Sequence, residues 1–253
     1  CNADRLPSAL GCTMFKSACS FAQGLGALVL CAVAPVVFAQ APVVAGDSYG
    51  VNVNGMLSIA APGVLGNDSG FNAVTHRLET YDRISRFGAS VSLGGDGSLT
   101  YDPPAGFRGV DNFSYTVRNA NGATAAVVQV DVSGNTVWFV DDTAAAGGDG
   151  SITAPFNSFT QLNGSFGVGD VDSAGDTIFV YEGAYTVSFD VEAGQRLIGH
   201  SEGLDLVGTA NDVSPAAAPV LTGDSFPIIE LFGAGHVVRG FTINNTQGKA
   251  IQG

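Results

Sequence analysis

Residues 175–199 read GDTIFVYEGAYTVSFDVEAGQRLIG, and the fold of the second half of the chain turns on them. Short β-branched and aromatic runs (Ile178-Phe179-Val180, Tyr185-Thr186-Val187, Arg196-Leu197-Ile198) alternate with glycine-bearing turns. That pattern predicts many short strands, because a pleated surface favours such side chains and glycine supplies the turns between them. The apolar anchors recur downstream: Ile198 to Leu221 is 23 residues, Leu221 to Ile243 is 22, and Ile229 to Ile251 is 22. A period in this range predicts a chain coiled on itself, each turn burying its apolar face only against the next. Residues 137–253 are therefore expected to form an N-terminal cap and the first coils of a right-handed parallel β-helix. Residues 200–219 interrupt the pattern and are expected to loop out of one coil.

The ends of such a stack need covering, since an open strand edge templates association. Phe156, Phe159 and Leu162, ended by Asn163-Gly164, predict a short amphipathic helix over residues 155–162 that would cap the first coil. At the other end Ala250-Ile251-Gln252 reads as a strand with the 22-residue spacing still running. No amphipathic segment follows it, so the stack is expected to continue beyond Gly253.

Upstream, residues 43–134 carry alternating apolar runs at 57–59, 73–78, 89–93, 99–101, 113–117 and 125–132, separated by Pro, Gly, Asn and Asp. Several short strands spaced by turns predict an antiparallel sandwich. Gly94-Gly95-Asp96-Gly97 predicts a tight hairpin, because Asp-Gly accepts the positive φ such turns require. The period of two puts Phe113, Tyr115 and Val117 on one face, the expected core.

Four motifs then occur in order: Ala45-x-Asp47-x-Tyr49; Pro62-Gly63-Val64-Leu65-Gly66-Asn67-Asp68; Gly97-Ser98-Leu99-Thr100-Tyr101-Asp102-Pro103; and Gly106-Phe107-x-Gly109-x-Asp111-x-Phe113-x-Tyr115-x-Val117. This stretch resembles the bacterial cadherin-like, Ig-like repeat of large surface proteins. The resemblance implies a seven-stranded sandwich that serves as a spacer or adhesive module, often in tandem and often stiffened by calcium; this chain carries one copy. Residues 137–253 in turn resemble the start of pectate-lyase-like β-helices in autotransporter and adhesin-type surface proteins, through the order GDG, PF, GDTI, G-x-Y and L-I-G.

Composition agrees with an ordered, exported chain. Glycine is abundant at 35 of 253 residues and charged residues make up only 13%. The net charge of −13 disfavours nucleic acid or an anionic membrane surface as partner. Residues 14–41 read as a secretory signal peptide, with Lys16 in the positive region, residues 24–37 apolar, and Val37-Phe38-Ala39 a small-residue cleavage site. Residues 1–39 are thus the upstream residues and signal. Pro35 and the cleavage motif argue against a retained membrane anchor, and Leu30 before Cys31 against a lipoprotein. Cys1, Cys12, Cys19 and Cys31 all precede the cut, so the mature chain has no disulfide and must hold by packing and backbone ladders.

Asp68, Asp111, Asp141 and Asp142 sit near predicted strand ends or the junction of the two units. Ca²⁺ takes 6–8 oxygen ligands from several segments, and junction carboxylates could supply them; equally, Asp is a turn residue that bonds its own backbone. The two GGDGS copies, 94–98 and 147–151, read as turns, since calcium-roll repeats would be contiguous. For acid–base work on a glycosidic bond two placed carboxyls are needed. His200, Asp205, Asp224, Glu230, His236 and Arg239 are the available groups, and the spacing sets no pair one coil apart, so they are expected to be surface polar residues and the fragment not an enzyme. Asn244-Asn245 reads as a coil turn. No nucleophile triad, phosphate loop or His/Cys metal spacing is present.

These observations point to a secreted bacterial surface protein of adhesin, autotransporter-like type. It would sit at the cell surface, in the outer membrane or outside a Gram-negative cell, as an extended stalk presenting a binding surface to a protein or polysaccharide ligand. A membrane would be reached only through a region after residue 253. The alternative is the accessory and N-terminal part of a β-helix polysaccharide lyase or hydrolase. If the cleavage motif is read as expected, N-terminal sequencing of exported material returns Gln40 as the first residue, and material retaining Ala39 in the membrane contradicts it.

Overall fold

Three glycine-punctuated strand runs per turn in one half, and alternating strands in the other, give an all-β chain. The computed structural model describes residues 40–69, 77–164, 170–207, 212–223, 227–244 and 249–253. The signal segment with Ala39, residues 73–76 of the strand expected over 73–78, Asp224 and Asn245 lie outside the described residues. Among those described there is no α-helix, only single 3-10 turns.

The first unit has seven strands in two sheets. β1 (Asp47–Asn52), β7 (Gly122–Ser133), β6 (Gly109–Asn119) and β3 (Arg77–Tyr81) form one sheet in the order β1-β7-β6-β3. β2 (Leu57–Ile59), β5 (Leu99–Asp102) and β4 (Ser90–Leu93) form the other, in the order β2-β5-β4. The expectation of a wholly antiparallel sandwich is corrected at one edge. β1 runs parallel to β7, with Tyr49 opposite Val130, because the chain enters along the edge and crosses to the other sheet before returning. The alternation is otherwise as read: on β6 Asp111, Phe113, Tyr115 and Val117 face inward, and on β7 Ala126, Val128, Val130 and Val132 meet them. The Asp-Gly hairpin joins β4 to β5, with Gly97 at φ +88° and Asp96 Oδ1 accepting from Ser98 N at 3.0 Å.

The second unit climbs three parallel ladders. β8 (Val137–Val140), β9 (Thr177–Val180), β12 (Arg196–Gly199) and β15 (Val237–Arg239) stack in one. β10 (Ala184–Thr186), β13 (Val220–Thr222) and β16 (Thr242–Asn244) form the second. β11 (Phe189–Val191), β14 (Ile229–Leu231) and β17 (Ile251–Gln252) form the third. Two of the predicted repeats are true stacking partners, Leu221 over Ile243 and Ile229 over Ile251. The third is not: Ile198 lies between Phe179 and Arg239, in a different ladder from Leu221. The excursion hides this, since it lengthens one coil and so shifts the apparent period. Leu206, on that excursion, is buried in a cluster with Val137, Phe139, Phe179 and Ile198. Trp138, Val140, Ile178, Val180 and Leu197 fill the opposite face. Burial on both faces explains why VWFV and TIFV are buried at every position and do not alternate apolar with polar.

The expected capping helix over 155–162 is also corrected. Only Phe159–Leu162 turns, as one 3-10 turn, while Phe156 pairs in parallel with Val140. The reason is the edge of β8. Its three outward N–H groups, on Val137, on Phe139 and on Asp141 just past the strand, are taken by Val53 O at 3.3 Å, Gly150 O at 3.0 Å and Phe156 O at 2.9 Å. A backbone edge demands partners on the strand repeat, which a helix axis cannot supply. Phe156, Phe159 and Leu162 are nonetheless buried, so the apolar spacing was a packing signal.

Successive turns of the stack approach closely at Gly199, where an added Cβ would lie 2.0 Å from Gly240 O. Gly199→Ala is expected to cost about 1–3 kcal/mol, as overpacked sites do. A lowered denaturant midpoint at unchanged m-value would register it.

Candidate functional site

Asp111 lies on the core face of β6 and is 0% exposed. A carboxylate there survives only if its oxygens are satisfied. Oδ1 accepts from Phe87 N at 3.1 Å and Asn112 N at 2.7 Å. Oδ2 accepts from Tyr101 OH at 2.7 Å and from Ser85 Oγ. Every donor is the protein's own, and the group it holds is the loop between β3 and β4. Ser85 Oγ passes the constraint on by accepting from Ala89 N at 2.8 Å. Asp111 is thus a loop anchor whose oxygens are already spent.

Asp68 stands at the opposite task. Its Oδ1 accepts from Ala45 N at 2.9 Å, and its Oδ2 is 3.4 Å from Tyr115 OH. The same hydroxyl donates to Val64 O at 2.9 Å and lies 3.4 Å from Asp47 Oδ2. One proton therefore serves several oxygens. Burial, and then the neighbouring Asp68 carboxylate, pushes Asp47 up to about 6. Burial also raises Asp68, against the hydrogen bonds from Ala45 and Tyr115. This pair closes the incoming segment onto the turn at Gly63–Leu65. Sequence reading named Asp68 but missed Asp47, although both sit in the quoted motifs.

Asp141 and Asp142 lie at the entry to the parallel stack. Asp141 Oδ1 accepts from Thr143 N at 2.9 Å and Thr143 Oγ1 at 2.7 Å, a local turn bond. Asp142 Oδ2 accepts from Ala184 N at 2.9 Å. The four carboxylates proposed for calcium are thus dispersed over separate tasks. Among the described residues no group of three or more His, Cys, Asp or Glu side chains is placed to hold a metal ion.

The polar residues weighed for catalysis are similarly scattered. His200 Nδ1 accepts from Glu182 N at 3.2 Å and its ring packs edge-on against Phe179 and Tyr181. Asp205 is exposed on the excursion. His236 Nε2 is 2.8 Å from Phe232 O, and Arg239 pairs with Glu202 at 3.5 Å. Glu230 is different. It lies opposite Asp190 in the parallel register of β11 and β14, which corrects the expectation that no carboxylate pair sits one coil apart. The partner was missed because the excursion puts 40 positions between them. Burial, then Glu230, raises Asp190.

Asp190 also lines a groove of about 260 Å³ together with Asp170, Glu192 and Phe232. Behind it Asp172 is 5% exposed. Its Oδ2 accepts from Gln195 Nε2 at 2.7 Å, while its Oδ1 has no partner among the described residues. Burial, with Asp170 adding to it, pushes Asp172 up to about 7.

Comparison with known proteins bears on the first unit. Residues 39–133 match the family model of a bacterial Ig domain. Such domains are usually carried on surface or extracellular proteins. No curated protein matches the chain. A solved structure from Bacteroides fragilis, of a provisionally assigned alpha-galactosidase, is similar at a TM-score of 0.28 and 12% identity. The likeness covers 59% of this chain and 30% of that one, so this chain spans less than a third of that protein's length. Among the described residues no helix is long and apolar enough to cross a membrane.

Two outcomes follow from the site. Asp111→Ala strands four donors and is expected to cost about 2–4 kcal/mol, equally in EDTA and in calcium; a loss seen only with calcium present would restore a metal role. Asp172 is protonated more readily when folded than when unfolded. Its contribution is full at acid pH below the ordinary carboxylate range and is lost as pH rises to about 7. Thermal unfolding followed from pH 4 to 8 should therefore flatten in Asp172→Asn, which keeps the acceptor and removes the charge.

Proposed function

We propose that this chain is part of a secreted bacterial adhesin-type surface protein. In this reading the Ig domain is fused to the opening coils of a right-handed parallel β-helix, and the two together make a stiff stalk that presents a binding surface. The carrying observation is the junction. Val137 N and Ile152 N donate to Val53 O and Asn54 O, and Thr153 Oγ1 donates to Asp102 Oδ2 at 2.9 Å. Arg108 Nη1 donates to Gly134 O at 2.6 Å, and Val207 N to Asn52 Oδ1 at 2.6 Å. Five such bonds, spread over the junction, resist bending, where a flexible linker would carry few contacts. Stiffness without disulfides is what a projecting stalk needs. The surface or extracellular class of bacterial Ig domains supports export.

The test has two parts. Residues 40–253 should melt in one transition, and Arg108→Ala combined with Thr153→Val should separate it into two. Cells lacking the gene should attach less to a host or matrix surface. Unchanged attachment would refute the adhesin role whatever the melting shows.

A second reading rests on Asp190 and Glu230. Two carboxylates in register beside a groove are the minimum for acid–base work on a glycosidic bond. In that reading the chain is the N-terminal part of a polysaccharide hydrolase or lyase. Turnover of pectin or alginate that disappears in Glu230→Gln would select it over the stalk.

A further inference from the structure

The loop between β3 and β4 is bolted down through its backbone and bare at its tips. Asp82 N donates to Ser114 O at 2.9 Å and Asp82 Oδ2 accepts from Ser114 N at 2.8 Å. Arg86 N donates to Asn112 O at 3.0 Å, and Val91 N to Arg83 O at 2.9 Å. Phe87 N ends on the buried Asp111 carboxylate. The backbone is tied at these points, yet the side chains Arg83, Ile84, Arg86 and Phe87 are all exposed, Ile84 at 62% and Phe87 at 48%. A loop held this firmly presents a fixed face, and fixing a face in advance is what lowers the entropy cost of binding.

The two arginines are arranged alike. Arg83 Cζ lies 5.4 Å from the Tyr81 ring centroid, and Arg86 Cζ lies 5.3 Å from that of Phe87. Phe87 is itself stacked on Phe107 at 5.4 Å. Neither guanidinium forms an ion pair among the described residues, whereas Arg118 and Arg239 do. That is informative in a chain with 23 acidic residues and a net charge of −13. Five of the eight basic residues after position 39 fall on the Ig unit, so positive charge is concentrated where carboxylates are fewer. A guanidinium laid on a ring keeps its in-plane N–H edge free, and that edge matches a carboxylate in bidentate fashion.

We infer that residues 81–87 form a binding ledge for a carboxylated polysaccharide, the uronate groups meeting Arg83 and Arg86 and the sugar C–H faces meeting Ile84 and the exposed edge of Phe87. This rests on the surface-protein reading above and supplies its ligand class. A peptide strand is disfavoured, since the N–H groups of Asp82, Ser85, Arg86, Phe87, Gly88 and Ala89 are already spent within the domain and no run of them is left to add a strand. The carboxylate within the loop, Asp82, is engaged by Ser114 N at 2.8 Å, and acidic groups more than about 10 Å away are screened at about 0.1 M salt.

Titration calorimetry of the full chain with a short oligogalacturonate at about 0.1 M salt tests the ledge. Binding is expected to the acidic oligomer and not to a neutral oligogalactan. Arg83→Ala and Arg86→Ala should each weaken it by about tenfold or more, the worth of a charge-assisted contact. Arg86→Lys should fail to restore it, because an ammonium offers no planar fork. Chemical-shift changes in the unaltered chain should centre on residues 81–87, a readout independent of any variant. The inference is overturned by absent binding, by equal binding of the neutral oligomer, or by full binding in Arg86→Lys. Equal or tighter binding of oligothymidylate or polyglutamate overturns it too, since the ledge would then read charge alone. Cells that still attach to a surface free of acidic glycan would keep the stalk reading while removing this ligand.

Discussion

An unpaired strand edge is the constraint on which the second half of the chain is built. β8 begins the parallel stack, and its outward N–H groups must find acceptors. They find them in Val53, Gly150 and Phe156, two of these from the loop that follows β8 and one from the Ig unit. The same need bends residues 150–156 through a tight turn, with Ala154 N donating to Ser151 O, so that Gly150 O and Phe156 O both reach the edge of β8; a single 3-10 turn follows. It also draws the Ig unit into direct contact with the stack. The coupling of the two units is therefore a consequence of edge satisfaction, with no cysteine after residue 31 to assist it.

A second constraint of the same kind governs the sandwich. Tyr101 and Phe113 stack at 6.4 Å in its core, and Asp111 sits beside them on the inner face. A buried charge is tolerable only with a full set of donors. Meeting that need ties β5, β6 and the loop after β3 into one hydrogen-bonded group. The interior charge thus fixes the shape of an exterior loop. Positions that look like surface turn chemistry in sequence become parts of the core, and the loop they hold becomes a rigid face.

Much of the sandwich was legible beforehand. Strand runs at 57–59, 89–93, 99–101, 113–117 and 125–132 coincide with β2, β4, β5, β6 and β7, since each alternates with a period of two against a single core. β1 was not read as a strand because Asp47–Asn52, DSYGVN, has little apolar alternation and gains its place by pairing with β7. In the parallel stack the 22-residue rungs were legible where the coils are uniform. Asp190 and Glu230 were not paired in advance, because an excursion that packs Leu206 against the first ladder breaks the spacing between them.

By itself the sequence determined that the chain is all-β, that two kinds of strand pattern divide it near residue 134, and that glycine and Asp-Gly mark the turns. These are local properties, set by side-chain alternation and backbone freedom. Only the tertiary structure decided which carboxylates are neighbours, which strand edge lies open, and which loop is held rigid. Those depend on residues far apart in the chain, Asp111 with Ser85, Val53 with Val137, Asp190 with Glu230, brought together by packing and by the requirement that buried polar groups be paired.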